Sequence, residues 1–564
     1  MSERQQLINS HKSLDSASDN TSSASYYGTK LQDYDESEFQ ATTEHRERLD
    51  KILLDFGLGK FQYSLFLLCG FGWLTENMWL QAVIVLLPRI QRHYSISNVN
   101  IGLPNSALFF GMMLGSLFWG GHSDIHGRRD AFHWTLATAS IAGILSGLTP
   151  GFWFLIAFLV AVGFGVGGTV PVDNSIILEF LPSKYHYLVT SLSVFFNLGA
   201  VLASLFAFLI LPSYSCPEFT SDKLYLPCDV GLQNNGWRYV FITLSVLNGF
   251  LAFSRVFLFK LPESPQFLLA KNQPSKVVDT LNSIAKSNGL SKVFTIDDIV
   301  NVDKKATLLK ADADISVFSE DPDSDIESGD AQIKNTKSKP KFEIVESHVK
   351  THWLLKALGF DFNLIYNLFQ PYYRMSTILL WIIWVFMALA YNLFTIFLPK
   401  YLELKGQDNG VNNMSDIYWR YLIFSLSGIP GSLVGSWLVD TKLGRKGTLA
   451  LSILFSGLAQ VGFIFFKNLN LVTFCSSSVS FLVTLMYAVL YCYTPEVFDP
   501  RLRSTACGIA SSLSRLLAII SPMLTGVLFD IRVWAPLEIS TVLLFILVIL
   551  TVMLPYETKD KSVE

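Results

Sequence analysis

Charge is what this chain has least of. Only 16% of its 564 residues are Asp, Glu, Lys or Arg, where a soluble domain carries about 25%. The net charge of −3 leaves no broad basic surface, so nucleic acid is excluded as a partner. Catalytic signatures are missing as well: there is no Walker phosphate loop, no HExxH, no GxSxG and no CxxC pair. The reading is therefore of a protein that is not an enzyme and takes no cofactor or metal. Without a nucleotide-binding domain, any transport it performs draws on a gradient. Cysteine is sparse too, and Cys69, Cys475, Cys492 and Cys507 have no metal-ligand spacing and read as packing residues. No cleavable signal peptide is expected, because the first 45 residues are polar and rich in Ser and Asp.

What is present is apolar sequence in long runs. Residues 62–88, 98–121, 131–149, 152–178, 187–211, 238–260, 376–399, 417–439, 447–466, 470–493, 504–530 and 535–555 each approach the ~20 helical residues that cross a ~30 Å hydrocarbon core. Unpaired backbone amides are not tolerated in lipid, so these spans are helices. The prediction is an all-α membrane protein of twelve transmembrane helices in two six-helix halves, 61–260 and 376–555. A tail over 1–60, a long loop over 261–375 and a short tail over 556–564 complete the chain. The loop's acidic, Ser-rich middle has little to bury and reads as a disordered linker, with Ser319, Ser324 and Ser328 as possible phosphorylation positions. "ERQQLI", Glu3 to Ile8, fits a loose dileucine sorting pattern and slightly favours an endosomal or vacuolar membrane over the plasma membrane.

Lys and Arg in the short loops divide almost evenly. The flanking Arg46, Arg48, Lys51 and Lys60, with Lys260, Lys271, Lys276, Lys356 and Arg374, decide the vote. They put both termini and the long loop in the cytoplasm. Two features agree with that orientation. Asn413-Met-Ser415 is a glycosylation sequon in a loop placed outside, and Cys216 and Cys228 share an outer loop where a disulfide persists.

The strongest signal is a repeat. "GGHSDIHGRRDAF" follows span 2 and "VDTKLGRKGTL" follows span 8. Gly127 and Gly444 stand 317 positions apart, as do Arg128 and Arg445, while Asp124 and Asp440 are 316 apart. After spans 4 and 10, "EFLPSKYHY" is echoed by "EVFDPRLRS", and Glu179 and Glu496 are again 317 apart. "LPESP" and "LPYET" close the two halves. A shared offset across separate loops marks an internal duplication, and duplicated halves around a midplane site are a transporter architecture. The glycine permits a tight turn. Asp124 is expected to pair with Arg128 or Arg129 across the cytoplasmic mouth or to meet helix ends, with Arg503 in the matching second-half loop.

These motifs resemble the major facilitator superfamily, and "PESPQFL" resembles its sugar-porter motif. "GLGKFQYSL", "GFGVGGTVPVDNSIILEFLP" and "YTPEVFDPRLRSTACG" are similar to the branch related to synaptic-vesicle organic-solute carriers. The likeness covers about 50–270 and 372–558 and implies the two-fold pseudo-symmetric major facilitator fold, with spans 1, 4, 7 and 10 lining a cavity. Relatives carry an arginine in span 4 near a position that is Leu159 here.

Ionisable side chains inside spans are functional candidates, because each costs ~2.5–3.5 kcal/mol to insert. Glu76 in "GWLTENMWL" is the first, an acid suited to reversible proton binding. Asp173 sits in span 4 beside Asn174 and behind Pro171, where the helix is weakened. Arg515 lies about eleven residues into span 11, ~16 Å of helical rise, and is read as counter-charge to Glu76 or partner of an anionic substrate. Arg255, near the end of span 6, is expected to snorkel to the interface. The resemblance adds Tyr391, Asn392 and Tyr487 as cavity-lining candidates. The whole reads as a monomeric, proton-coupled carrier of a small polar metabolite in a lipid bilayer, with a proton-independent facilitator or a transport-dead sensor as the alternatives.

Overall fold

A computed structural model describes residues 45, 48–182, 185, 187–216, 228–271, 273–291, 293–295, 298–299, 366–408, 413–439, 441–498 and 500–558. Ser319, Ser324, Ser328, Asp440 and the amino-terminal sorting pattern lie outside them, as do the side chains of Asp124 and Arg503.

Two compact units divide the chain. In the smaller, Pro274–Ser287 is an amphipathic helix that buries Val277, Leu281 and Ile284 on one face, as spacings of three and four require. Within the same unit Asn282 holds the Phe294 backbone through both its amide atoms, and Phe56 meets the Phe294 ring edge-on.

The larger unit holds the apolar helices, and no strand occurs among the described residues. Its first half runs α1 (Lys60–Tyr94), α2 (Leu103–His126), α3 (Arg128–Leu148), α4 (Phe152–Val166), α5 (Thr169–Phe180), α6 (Ser193–Tyr214) and α7 (Gly236–Phe253). Its second runs α8 (Arg374–Thr395), α9 (Leu398–Asp408), α10 (Met414–Leu438), α11 (Gly444–Phe465), α12 (Leu469–Val497), α13 (Pro500–Ile531) and α14 (Ala535–Val552). By length and composition, nine helical stretches can cross a membrane by themselves. The more polar α1, α2 and α10 are also long enough: the shortest, α2, has 24 residues, or roughly 36 Å. Among the described residues, nine of the twelve apolar runs thus coincide with helices apolar enough to cross a membrane, and the other three with helices of sufficient length.

Two spans are broken, each at the carbonyl that a proline four residues further on would strike. Pro171 separates α4 from α5 at Gly167–Gly168, and Pro399 separates α8 from α9. The α4 segment lies hard against α2. A Cβ on Gly163 would fall 2.2 Å from the Leu108 carbonyl, and one on Gly111 would fall 2.1 Å from that of Val160, so close backbone approach is what these small residues permit.

The two positive-φ turns of the repeat are the same object built twice. Gly127 (φ 116°) and Gly444 (φ 66°) each occupy a conformation that side chains rarely adopt. A Cβ there would strike the Glu263 carboxylate in the first half and that of Glu557 in the second.

Candidate functional site

Glu76 is held inside the protein and does not face lipid. It is 5% exposed on α1, and its Oε2 accepts from the Thr169 hydroxyl at 3.3 Å. Thr169 and Val170 open α5, so the carboxylate rests on a helix N-terminus created by the break before Pro171. The positive end of that helix dipole favours a negative group there. The opposing cation is Arg515 of α13, whose Nη2 lies 3.8 Å from Glu76 Oε1 and whose Nη1 reaches the Met112 carbonyl at 3.5 Å. Arg515 comes from the other half of the chain, and Leu159 of α4 is buried.

One turn along α1 is a second ion pair with a different character. Asp173 Oδ2 accepts from Arg255 Nη2 at 2.7 Å, and both side chains are 0% exposed. Arg255 also donates to the Leu68 carbonyl at 2.9 Å and to that of Phe132 at 2.9 Å, and its guanidinium covers the Phe132 ring. Gly72 makes room for this: a Cβ there would stand 1.8 Å from Asp173 Oδ2. The expectation that Arg255 snorkels is therefore corrected. It follows Ser254 into a short π-helical turn, Ser254–Leu258, that aims it inward, and a buried carboxylate outcompetes the interface for it. Sequence reasoning treated these two charges separately, and the signal that could have joined them was that each lacked a partner within its own span.

Amides and phenols complete the centre. Gln81 receives the Tyr421 hydroxyl at 2.6 Å and faces the Tyr391 hydroxyl at 3.5 Å, joining α1 to α10 and α8. Asn77 donates to the Phe196 carbonyl at 2.7 Å, and Asn392 to the Ser521 hydroxyl at 2.9 Å. Asn392 is thereby committed to helix packing. Asn174 is half-buried on α5, its Oδ1 without a hydrogen-bond partner. Tyr391 meets Tyr487 edge-on at 6.0 Å, Tyr487 lies 6.5 Å from Tyr491, and Tyr491 packs against Trp384 at 4.8 Å. Gln81, Tyr421 and Trp384 were not singled out in the sequence, where an apolar run hides any one polar or aromatic residue. A separate apolar groove of about 720 Å³, lined by Phe455, Phe474 and Phe481, holds no ionisable side chain and is not part of this constellation.

The mouth motifs resolve into two matching networks. Arg128 forks onto Glu179 at 2.9 and 3.1 Å, bonds Ser123, and gives its backbone N–H to Glu263 at 2.7 Å. Arg445 reaches Glu496 at 3.1 and 3.2 Å, while Glu557 accepts from the backbone of Arg445 and Lys446. Each of these pairings stays within its own half, and the expected pairing of Asp124 with Arg128 or Arg129 lies outside the described side chains. Arg129 is exposed. At the opposite ends of the helices the halves are joined directly. Arg89, 1% exposed, pairs with Glu403 beside Tyr418, and Lys400 donates to Gln91 and Asn98 at 2.8 and 2.7 Å. Cys216 and Cys228 form a disulfide. Asn413 is exposed and caps α10 through its Oδ1.

Comparison with known proteins supplies the family. The Major Facilitator Superfamily profile matches residues 65–490 and 413–564. An uncharacterised MFS-type transporter of Schizosaccharomyces pombe is 31% identical, covering 94% of this chain and 91% of its own. A synaptic vesicle 2-related protein of Pongo abelii is 24% identical over 93% of this chain and 84% of its own. The xylose transporter XylE of E. coli, in a partially occluded inward-open conformation, shares the fold with TM-score 0.60 at 14% identity, covering 89% of this chain and 99% of XylE. The chain belongs to the Major Facilitator Superfamily and is a multi-pass membrane transporter.

Proposed function

We propose that this superfamily member is a proton-coupled secondary transporter in which Glu76 carries the proton and Arg515 senses whether it is there. The carrying observation is the Glu76–Arg515 pair itself. It joins the two halves at mid-span, and at 3.8 Å it is long for a charge-assisted bond. With Glu76 ionised, the two charges hold each other. A proton on Glu76 cancels its charge, and the guanidinium is released to the cargo. The halves then move about this site, exposing it to one compartment and then the other.

The mouth networks fit the same scheme. Arg128–Glu179 and Arg445–Glu496 tie the turns at one face to their own halves, so each half moves as a body. The Arg89–Glu403 pair joins the halves at the other face and must part whenever that face opens. We place the termini and the 261–375 loop in the cytoplasm, with Asn413 glycosylated and the disulfide outside, on the charge and sequon grounds above. The protein acts as a monomer in a plasma, endosomal or vacuolar membrane.

Uptake into proteoliposomes under an imposed pH gradient tests the coupling. Wild-type uptake should rise as the cargo-side pH falls, because the loaded carrier needs a proton on Glu76. Glu76→Gln imitates the protonated acid and should flatten that dependence while the protein still inserts. Unchanged pH dependence in the variant would remove Glu76 from the role.

A further inference from the structure

The Glu76–Arg515 pair leaves bonding capacity unused, and what surrounds it limits what can use it. A guanidinium presents five N–H donors. Those of Arg515 meet a carboxylate oxygen at 3.8 Å and a carbonyl at 3.5 Å, whereas charge-assisted bonds close to about 2.7–2.9 Å. Its side chain keeps 23% exposure although it lies in the middle of α13 and its neighbours Glu76 and Met112 belong to the other half. A guanidinium in such a place takes a carboxylate in preference to any neutral group, because both its charge and its forked geometry are then matched.

The neighbouring wall is flat and aromatic. Tyr491 is 54% exposed and lies close enough to Arg515 and Glu76 to interact electrostatically with both. Tyr487 continues the wall at 6.5 Å, and Trp384 buttresses Tyr491 from behind. Three of the four side-chain amides around the centre are already engaged, and Asn174 keeps an oxygen without a partner. The Asn77 NH2 is on the Phe196 carbonyl, Gln81 is on Tyr391 and Tyr421, and the Asn392 NH2 is on Ser521. A sugar would find stacking surface here and few free partners for its hydroxyls.

We infer that the cargo is a flat organic anion, a monocarboxylate whose carboxylate pairs with Arg515 while its unsaturated ring lies along Tyr487 and Tyr491. It crosses with one proton. This rests on the proton-coupling reading above and names the substrate class of that site. One negative charge enters on the cargo and one positive charge enters as the proton on Glu76, so each cycle moves no net charge. Other ionisable groups lie near Glu76. Asp173, one turn away on α5, is held by Arg255, and Tyr491 of α12 is a phenol.

Calorimetric titration of the purified full-length protein in two buffers of different ionisation heat tests both the class and the count. Benzoate, cinnamate and indole-3-acetate are titrated beside cyclohexanecarboxylate, glucose and choline. At least one aromatic carboxylate should bind with uptake of about one proton, and should bind about tenfold more tightly than cyclohexanecarboxylate, whose puckered ring cannot stack. Arg515→Gln should weaken it about 100-fold. Arg515→Lys keeps the charge but loses the fork, and should weaken it about tenfold, which guards against a glutamine variant that fails to fold. Proton-linked binding of glucose or choline with no carboxylate bound would overturn the cargo class and leave the coupling intact. Carboxylate binding without proton uptake would sink the coupling and leave the class. Wild-type affinity in both Arg515 variants, or no binding by any probe, would overturn the inference.

Discussion

Two ion pairs lie one turn apart along α1, and they are built to opposite ends. Asp173 and Arg255 come from the same half, close to 2.7 Å, expose nothing, and fill the remaining guanidinium donors with carbonyls. Glu76 and Arg515 come from different halves, stand 3.8 Å apart, and leave the cation partly open. Burial alone does not mark a functional charge. The first pair leaves only the sealed Asp173 Oδ1 without a partner and joins elements of one half, so it locks that half together. The second has capacity left to give a ligand and a reason to part under the proposed mechanism, in which its partners separate when the halves move.

The largest effect should come from cutting the lock. Arg255→Met leaves a buried carboxylate unpaired and should destabilise the protein by about 3–5 kcal/mol, seen as a large fall in the thermal unfolding midpoint. Adding Asp173→Asn should recover most of that loss, and a double variant no more stable than the single would break the comparison. Next comes the pair that joins the halves opposite the mouth. Arg89→Met should weaken that closure by about 2–3 kcal/mol, read as faster modification of a cysteine introduced at Gln91. A smaller effect is expected at the mouths. Glu179→Gln should cost about 1 kcal/mol and Glu496→Gln somewhat less, because Glu496 is 31% exposed against 14% for Glu179. Paired melting curves of the two variants check the order. The smallest effect on stability should be that of Glu76→Gln, within about 1 kcal/mol of wild type, although it removes the response of uptake to pH. A melting loss as large as that of Arg255→Met would mean that both pairs are structural.

Much of this was legible in the sequence. The apolar runs read as helices because lipid allows no other use of the backbone. The 317-residue offset exposed the matched mouths before any coordinate did, down to Arg128, Glu179, Arg445 and Glu496. Those motifs are local and repeated, which is why they show. Glu263 and Glu557 were visible only as closing motifs, since their contact with the two glycine turns is made across a whole half. Arg255 was misread for a related reason: depth along a helix can be counted in a sequence, but the side toward which a π-turn rotates a side chain cannot. Asn392 was a candidate through the family resemblance, and its bond to Ser521 is a contact between helices that no sequence pattern announces.

The chain's own order of residues determined that it crosses a membrane in helices, that its halves are copies, and which side chains carry charge where charge is costly. Those properties depend on local hydropathy and on spacing, and both are written in one dimension. Which acid meets which base was decided only by tertiary structure. Asp173 meets a base 82 positions along in its own half, whereas Glu76 meets one from the other half of the chain. Ion pairing depends on a few ångströms of separation, and helix packing sets those distances.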